Sequence, residues 1–265
     1  MAINFNPGLT AGSINTLNSV QRSSETNYQQ LSTGQRINSA ADDAAGLNIA
    51  TRIDATTRSL QMAFRNANDG ISMLQVADGA LSQSTDILSR MLELTLQGAN
   101  GTYTDSDRAY LDKEYEQLAL ELERIQTTTS FNGNPVFSGE YVSLQVGTEA
   151  DETIDFSLNA PDMAALAGSS ELSTADRLEA IDDTLSQLTQ TQADIGAVSN
   201  RLESTATSLS NANQSAQEAY SRIMDTDYAA ASAEKARLDL QKQVTIALLS
   251  QANAQKDDVL RLLSM

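Results

Sequence analysis

The feature that most constrains this chain is an apolar register that lasts for more than five heptads. Ile53, Thr57, Leu60, Phe64, Ala67, Ile71, Leu74, Asp78, Leu81, Thr85, Leu88 and Leu92 follow alternating spacings of three and four. Sustained 3/4 spacing lines one side of an α-helix and needs a partner helix of similar length. A partner is available further on: Ile181, Leu185, Leu188, Gln192, Ile195, Ser199, Leu202, Ala206, Leu209, Asn213, Ala216, Tyr220 and Ile223 keep the same spacing. Two shorter segments add Ile14, Leu17, Gln21, Ser24, Tyr28 and Leu31 near the start, and Leu111, Tyr115, Leu118, Leu122 and Ile125 in the middle. Leu238 to Leu263 is apolar and amphipathic but less regular.

Between the third and fourth helices the period changes from helical to alternating. Ser130-Phe131-Asn132-Gly133-Asn134-Pro135 carries two turn signals, Asn-Gly and Asn-Pro. Tyr141, Val142, Leu144 and Val146, then Ile154, Phe156 and Leu158, read as short strands joined by a polar loop over 147–152. Residues 159–175 read as a linker or a short helical excursion. Thr104 and Asp105, with Asp107 following, form an N-cap signature for the third helix. Gly98 and Gly101 mark the end of the second helix, and Ser32-Thr33-Gly34 breaks the first. The expectation is a mainly α fold: a long antiparallel helical bundle with coiled-coil-like packing and a small β-hairpin region at about 131–158.

Composition removes most chemistries. The chain has 265 residues with no Cys, no His and only 3 Pro. Disulfides, thiolate nucleophiles, His or Cys metal sites and a His general base are therefore excluded. Lys plus Arg is 17 against 35 Asp plus Glu, a formal charge of −18. That charge opposes binding to nucleic-acid backbones and to anionic membranes, so neither is expected as a partner. Met1-Ala2-Ile3-Asn4-Phe5-Asn6 lacks the pattern of a cleavable signal peptide, and Gln243 to Gln255 is too short and polar to span a bilayer.

The motifs tested for catalysis fail. Asp42-Asp43, Asp182-Asp183 and Asp257-Asp258 are adjacent, which points the two carboxylates apart on a helix. Asp105-Ser106-Asp107 with Glu116 imitates a calcium loop but has Tyr110 where a Gly is required. Ser232-Ala233-Glu234-Lys235 lacks its companion motifs. Asn100-Gly101-Thr102 and Asn213-Gln214-Ser215 fit a glycosylation sequon that is common by chance. No catalytic, cofactor or metal residue is assigned, and no enzyme is expected.

A helix of some 45 residues is roughly 65 Å long, and both chain ends carry amphipathic segments with no obvious partner in the bundle. The ends pack on each other, on other copies of the chain, or on both.

Leu31-Ser32-Thr33-Gly34-Gln35-Arg36-Ile37-Asn38-Ser39-Ala40-Ala41-Asp42-Asp43-Ala44-Ala45-Gly46-Leu47 resembles the N-terminal signature of bacterial flagellins. Ile71 to Leu81, Thr129 to Gly133, Leu144 to Gly147 with Glu152 to Ile154, and Ser221 to Ala229 resemble later blocks of that family, as does the ending from Ser250 to Leu263. The resemblance covers nearly the whole chain in the family's order. It implies a secreted, structural subunit, exported unfolded without a cleavable signal peptide, that polymerises into the extracellular flagellar filament for motility. A hook–filament junction protein of the same superfamily is the alternative. Residues 1–42 with 224–265 would form the terminal filament-core domain and 43–223 the bundle domain. Only 159–177 stands where many flagellins carry a large outer insert, which implies a short form.

The resemblance also supplies site residues and partners. Ile3, Phe5, Ile14, Leu17, Leu31, Val244, Leu248, Leu249, Val259, Leu260, Leu262 and Leu263 are the expected filament-core contacts. Arg90, Leu94 and Glu114 match the patch that Toll-like receptor 5 recognises in some family members. Partners implied are other copies of the chain, an export chaperone on Leu238 to Leu263, and filament cap and hook-junction proteins. Terminal helices that cannot bury themselves alone should order only with their neighbours, and copies at −18 should assemble in a salt-dependent way.

Overall fold

The computed structural model describes residues 7–159, 166 and 173–263. Five helices and four short strands occur among the described residues: α1 (Pro7–Thr33), α2 (Ala44–Ala99), α3 (Asp105–Thr128), β1 (Ser130–Phe131), β2 (Asn134–Pro135), β3 (Tyr141–Gln145), β4 (Thr153–Ser157), α4 (Thr174–Met224) and α5 (Tyr228–Leu263). The fold is mainly α, as expected. α2 has 56 residues and α4 has 51, so each exceeds the 45 anticipated. The chain divides into two compact units, Met1–Ala55 with Ser215–Met265, and Thr56–Gln214. The proposed linker at 159–175 lies mostly outside the described residues; within it, Leu166 is buried, and Thr174 and Ala175 already belong to α4.

In the 56–214 unit the core is drawn from α2, α3, α4 and the β segments. Besides Met73 and Leu94, the buried positions on α2 are Leu60, Ala63, Ala67, Gly70, Leu74, Ala77, Leu81, Ser84, Leu88, Met91 and Thr95. This is an unbroken 3/4 series, but only half of it is the expected one. Leu60, Ala67, Leu74, Leu81 and Leu88 lie in the seam as anticipated. The alternate positions fall one residue earlier, so Phe64 is 40% exposed and Asp78 is exposed, while Ile71, Thr85 and Leu92 are half-buried. The reason is size: Ala63, Gly70, Ala77 and Ser84 occupy the seam, and the bulkier neighbours flank it.

Gly70 shows what the small residues make room for. A Cβ there would lie 2.2 Å from Leu144 Cδ1 and 3.3 Å from Leu202 Cδ1. The hairpin of β3 and β4 is held on α2 at this level, and Asn66 Nδ2 donates to the Gln145 carbonyl at 2.9 Å. β3 and β4 pair antiparallel, Tyr141 opposite Ser157 through Gln145 opposite Thr153. Ile154 and Phe156 face inward, and Leu158 and Val146 bury beside them. β1 and β2 pair across Asn132-Gly133, whose φ values of 52° and 84° are those of a type I′ turn. The second anticipated turn signal, Asn134-Pro135, is strand β2 itself.

α3 buries Tyr115, Ala119, Leu122 and Ile125. Leu118 is half-buried, with Ala119 taking the deep position. Thr104 caps α3 as expected: its Oγ1 accepts from Asp107 N, and the Asp107 carboxylate accepts from Thr104 N at 3.1 Å, a capping box. α4 buries Ile181, Leu188, Ile195, Leu202, Ala206 and Leu209 as expected, but Thr184 takes the deep position where Leu185 was expected, and Leu185 is half-buried.

Candidate assembly interface

The terminal unit is built on two antiparallel helices, α1 and α5. Asn27 Nδ2 donates to the Ala231 carbonyl at 3.1 Å, and Tyr228 Oη donates to the Leu31 carbonyl at 3.0 Å. Lys235 Nζ sits 5.0 Å from the Tyr28 ring centroid. The seam runs through Leu17, Val20, Ser24, Asn27 and Leu31 on α1, and through Ala231, Leu238, Thr245 and Leu249 on α5. α1 shows the same one-residue shift as α2: Val20 and Asn27 are buried where Gln21 and Tyr28 were anticipated, and Tyr28 is exposed.

The segment 31–47 locks this unit at its junction, which explains its composition. Gly34 ends α1 at φ +72°, and a Cβ there would lie 3.3 Å from Tyr228 Oη. Gln35 bridges Asp225; Arg36 N donates to the Met224 carbonyl at 2.6 Å, and Thr226 N to the Gly34 carbonyl at 2.9 Å. The Arg36 guanidinium donates twice to the Ile223 carbonyl, at 2.8 and 3.2 Å, covering an acceptor left over at the end of α4. Ile37 buries with Ala50 and Met224.

The two aspartates at 42–43 divide the remaining work. Asp42 Oδ2 accepts from Asn38 N, Ser39 N and Ser39 Oγ at 2.9–3.1 Å. Asp43 Oδ1 accepts from Gly46 N at 2.8 Å and so caps α2. A Cβ at Gly46 would lie 2.4 Å from Asp43 Oδ2 and 2.7 Å from Ile37 Cδ1, so the cap and the core residue leave space only for glycine. Asp227 Oδ1 caps α5 by accepting from Ala229 N and Ala230 N.

Asp42 makes this junction pH-sensitive. The backbone bonds from Asn38 and Ser39, then the Ser39 hydroxyl, hold its carboxyl below the ordinary carboxylate range. A depressed folded pKa gives stability that is present above the unfolded value and lost as pH falls through the folded value. Thermal unfolding of the full chain beside Asp42→Ala should therefore differ at neutral pH and converge in acid. A difference that persisted below the carboxylate range would contradict this role. The effect is small because the turn is exposed.

The expected interface residues fall into three groups. Leu17, Leu31 and Leu249 are half-buried at the α1–α5 seam. Ile14, Val244 and Leu248 are 46%, 57% and 53% exposed, and Leu240 joins them at 62%. Leu240, Val244 and Leu248 are spaced by four, which sets them in one stripe running from the far side of α5 at Leu240 to the flank of its seam at Leu248. α5 is thus apolar on two sides, one covered by α1 and one open. The sequence signal for Leu240 was present in the i, i+4 spacing but was masked by the overlap of the two stripes. Ile3 and Phe5 lie outside the described residues, as do the side chains of Val259, Leu260, Leu262 and Leu263.

Arg90 and Glu114 meet at the surface of the 56–214 unit. Arg90 donates to Glu114 Oε1 at 2.8 and 3.0 Å, and to Glu93 at 3.0 Å. Glu114 first, then Glu93, pushes the guanidinium pKa further up, so Arg90 stays charged. Leu94, one turn further along α2 than Arg90, is 2% exposed and part of the core.

Long helices, terminal helices locked by a short junction, and an open apolar stripe on the last helix define a subunit built for assembly with other chains. The bacterial flagellin N-terminal helical region matches residues 9–141, and the bacterial flagellin C-terminal helical region matches 178–263. The flagellin of Halalkalibacterium halodurans is 40% identical over 89% of this chain and 90% of its own. That of Bacillus subtilis is 34% identical over 99% of this chain and 100% of its own. The structure of a putative flagellar hook-associated protein from Vibrio parahaemolyticus shares the fold, with TM-score 0.61 and 17% identity over 69% of this chain and all of that one. The chain belongs to the bacterial flagellin family and is a structural subunit of the flagellar filament. No helix among the described residues is long and apolar enough to cross a membrane.

Proposed function

We propose that the open stripe Leu240, Val244 and Leu248, with Ile14 on α1, packs against neighbouring copies in the filament. The observation that carries this reading is the second apolar side of α5, which α1 leaves uncovered. Residues 1–42 with 224–265 then serve as the filament-core domain, and 43–223 as the bundle domain. The chain is exported unfolded, and its terminal helices gain full order only when neighbours cover them. Until then an export chaperone holds Leu238 to Leu263, and filament cap and hook-junction proteins meet the assembled subunits. Recognition by Toll-like receptor 5 would rest on Arg90 and Glu114, the exposed members of the matching patch.

Amide hydrogen exchange on monomer and filament tests this reading. Peptides from 228–255 should exchange fast in the monomer and slowly in the filament, while peptides from 60–95 are protected in both. Equal protection of 228–255 in the two states would overturn it.

A further inference from the structure

Asn-Gly occurs twice in this chain, at 100–101 and at 132–133. An Asn side chain before Gly can react with its own backbone, because the missing Cβ leaves the Gly nitrogen accessible and the chain free to turn. The two sites hold the same dipeptide in opposite states, and that contrast carries the inference.

Asn132-Gly133 is fixed. Both residues have positive φ in a type I′ turn between paired strands. Val136 N donates to the Thr129 carbonyl at 3.1 Å, and Val136 and Phe137 bury in the core directly after the hairpin. Type I′ geometry sets the first central ψ near about +30°. That rotation puts the Gly133 nitrogen on the far side of the Cα–C bond from the Asn132 side chain, so the two reacting atoms cannot meet while the hairpin holds.

Asn100-Gly101 is open. It lies in the turn after α2, and Asn100 is exposed with a φ outside the left-handed region. Its side chain folds back along the following peptide, Oδ1 accepting from Thr102 N at 3.3 Å. That bond and the one from Tyr103 N to the Asn100 carbonyl are both 3.3 Å; Gln97 ties the ends of the turn, its carbonyl accepting from Asn100 N at 3.1 Å and its Nε2 donating to Tyr103 Oη at 2.8 Å, and leaves the Gly101 N–H between them unbonded. Nothing lies within 4 Å of where a Gly101 Cβ would be, and no group among the described residues accepts the Gly101 N–H.

We infer that Asn100 is a site of spontaneous deamidation in the folded protein, and that Asn132 is protected from it. The Gly101 nitrogen, losing its proton to solvent base, attacks Asn100 Cγ; the N–Cγ bond forms and Nδ2 leaves as ammonia. Water then opens the cyclic imide at either carbonyl, giving aspartate or isoaspartate, with no oxidant or reductant. Aspartate keeps the acceptor for Thr102 N. Isoaspartate carries Cβ into the main chain and lengthens the link between α2 and α3. Either product adds one negative charge beside the C-terminal end of α2, where the helix dipole disfavours it.

The test is peptide mass analysis of the full chain after prolonged incubation in mildly alkaline buffer, folded and in urea. Cleavage after Arg and Lys isolates 91–108 with Asn100 and 125–177 with Asn132. In the folded chain, 91–108 should gain the amide-to-acid mass change several-fold faster than 125–177 and split into two isomers. In urea the two rates should come together, and Gly101→Ala should slow the first site alone. Comparable rates in the folded chain, or a difference that survived in urea, would overturn the assignment.

Discussion

Replacing Val244 and Leu248 together by Glu should abolish filament growth from seeds, with the helix content of the monomer unchanged. Both side chains are more than half exposed on α5, so the charges cost the isolated subunit little. In a filament the same positions would be covered. Each lost Leu or Val burial removes about 1.5–3 kcal/mol, and an unpaired buried carboxylate adds a desolvation cost of several more. The loss recurs at every contact, so the effect is all-or-none. Electron microscopy and sedimentation check it. Normal filaments from the double variant would remove the open stripe from the interface.

The second large effect is on stability and separates the observed seam from the expected one. Leu88 is fully buried in the core of the 56–214 unit, so Leu88→Ala should cost about 2–5 kcal/mol. The unfolding midpoint should fall by roughly 10 °C. Phe64 is 40% exposed, so Phe64→Ala should cost about 1 kcal/mol or less in the monomer, although it removes more atoms. Calorimetry on the two variants decides the matter. A Phe64→Ala loss as large as that of Leu88→Ala would restore Phe64 to the seam.

That contrast shows where the sequence could be read and where it could not. Heptad spacing located α2, α3 and α4, because Leu74, Leu81, Leu88, Leu122, Ile181, Leu188 and Leu202 are large, apolar and buried. It misplaced the alternate seam positions, because Ala63, Gly70, Ala77 and Ser84 are too small to stand out beside Phe64 and Ile71. Their smallness leaves room for Leu144 and Leu202 at Gly70, a tertiary fact that no local window contains. Turn and cap signals were legible at Asn132-Gly133 and Thr104 because they act within a few residues.

The candidate interface was only half legible. Val244, Leu248 and Leu249 are apolar and were expected to share one role. The structure gives Leu249 to the α1–α5 seam and leaves Val244 and Leu248 in the open. Two stripes on one helix blur a single period, and this is why Leu238 to Leu263 looked irregular. The block at 31–47 resembled a family signature before its physics was visible. Its Gly34, Arg36, Asp42, Asp43 and Gly46 join the ends of three helices, a role set by partners nearly 190 residues away, Arg36 to Ile223 being |i−j| 187.

The central claim is that the terminal helices drive assembly. It is tested most directly by seeding purified monomer with filament fragments, beside a copy lacking residues 1–30 and 240–265, and viewing both by electron microscopy across a range of salt. The full chain should extend the seeds, more readily as salt screens its charge of −18, and the shortened copy should not. Filaments from the shortened copy, or none from the full chain at any salt, would contradict the account.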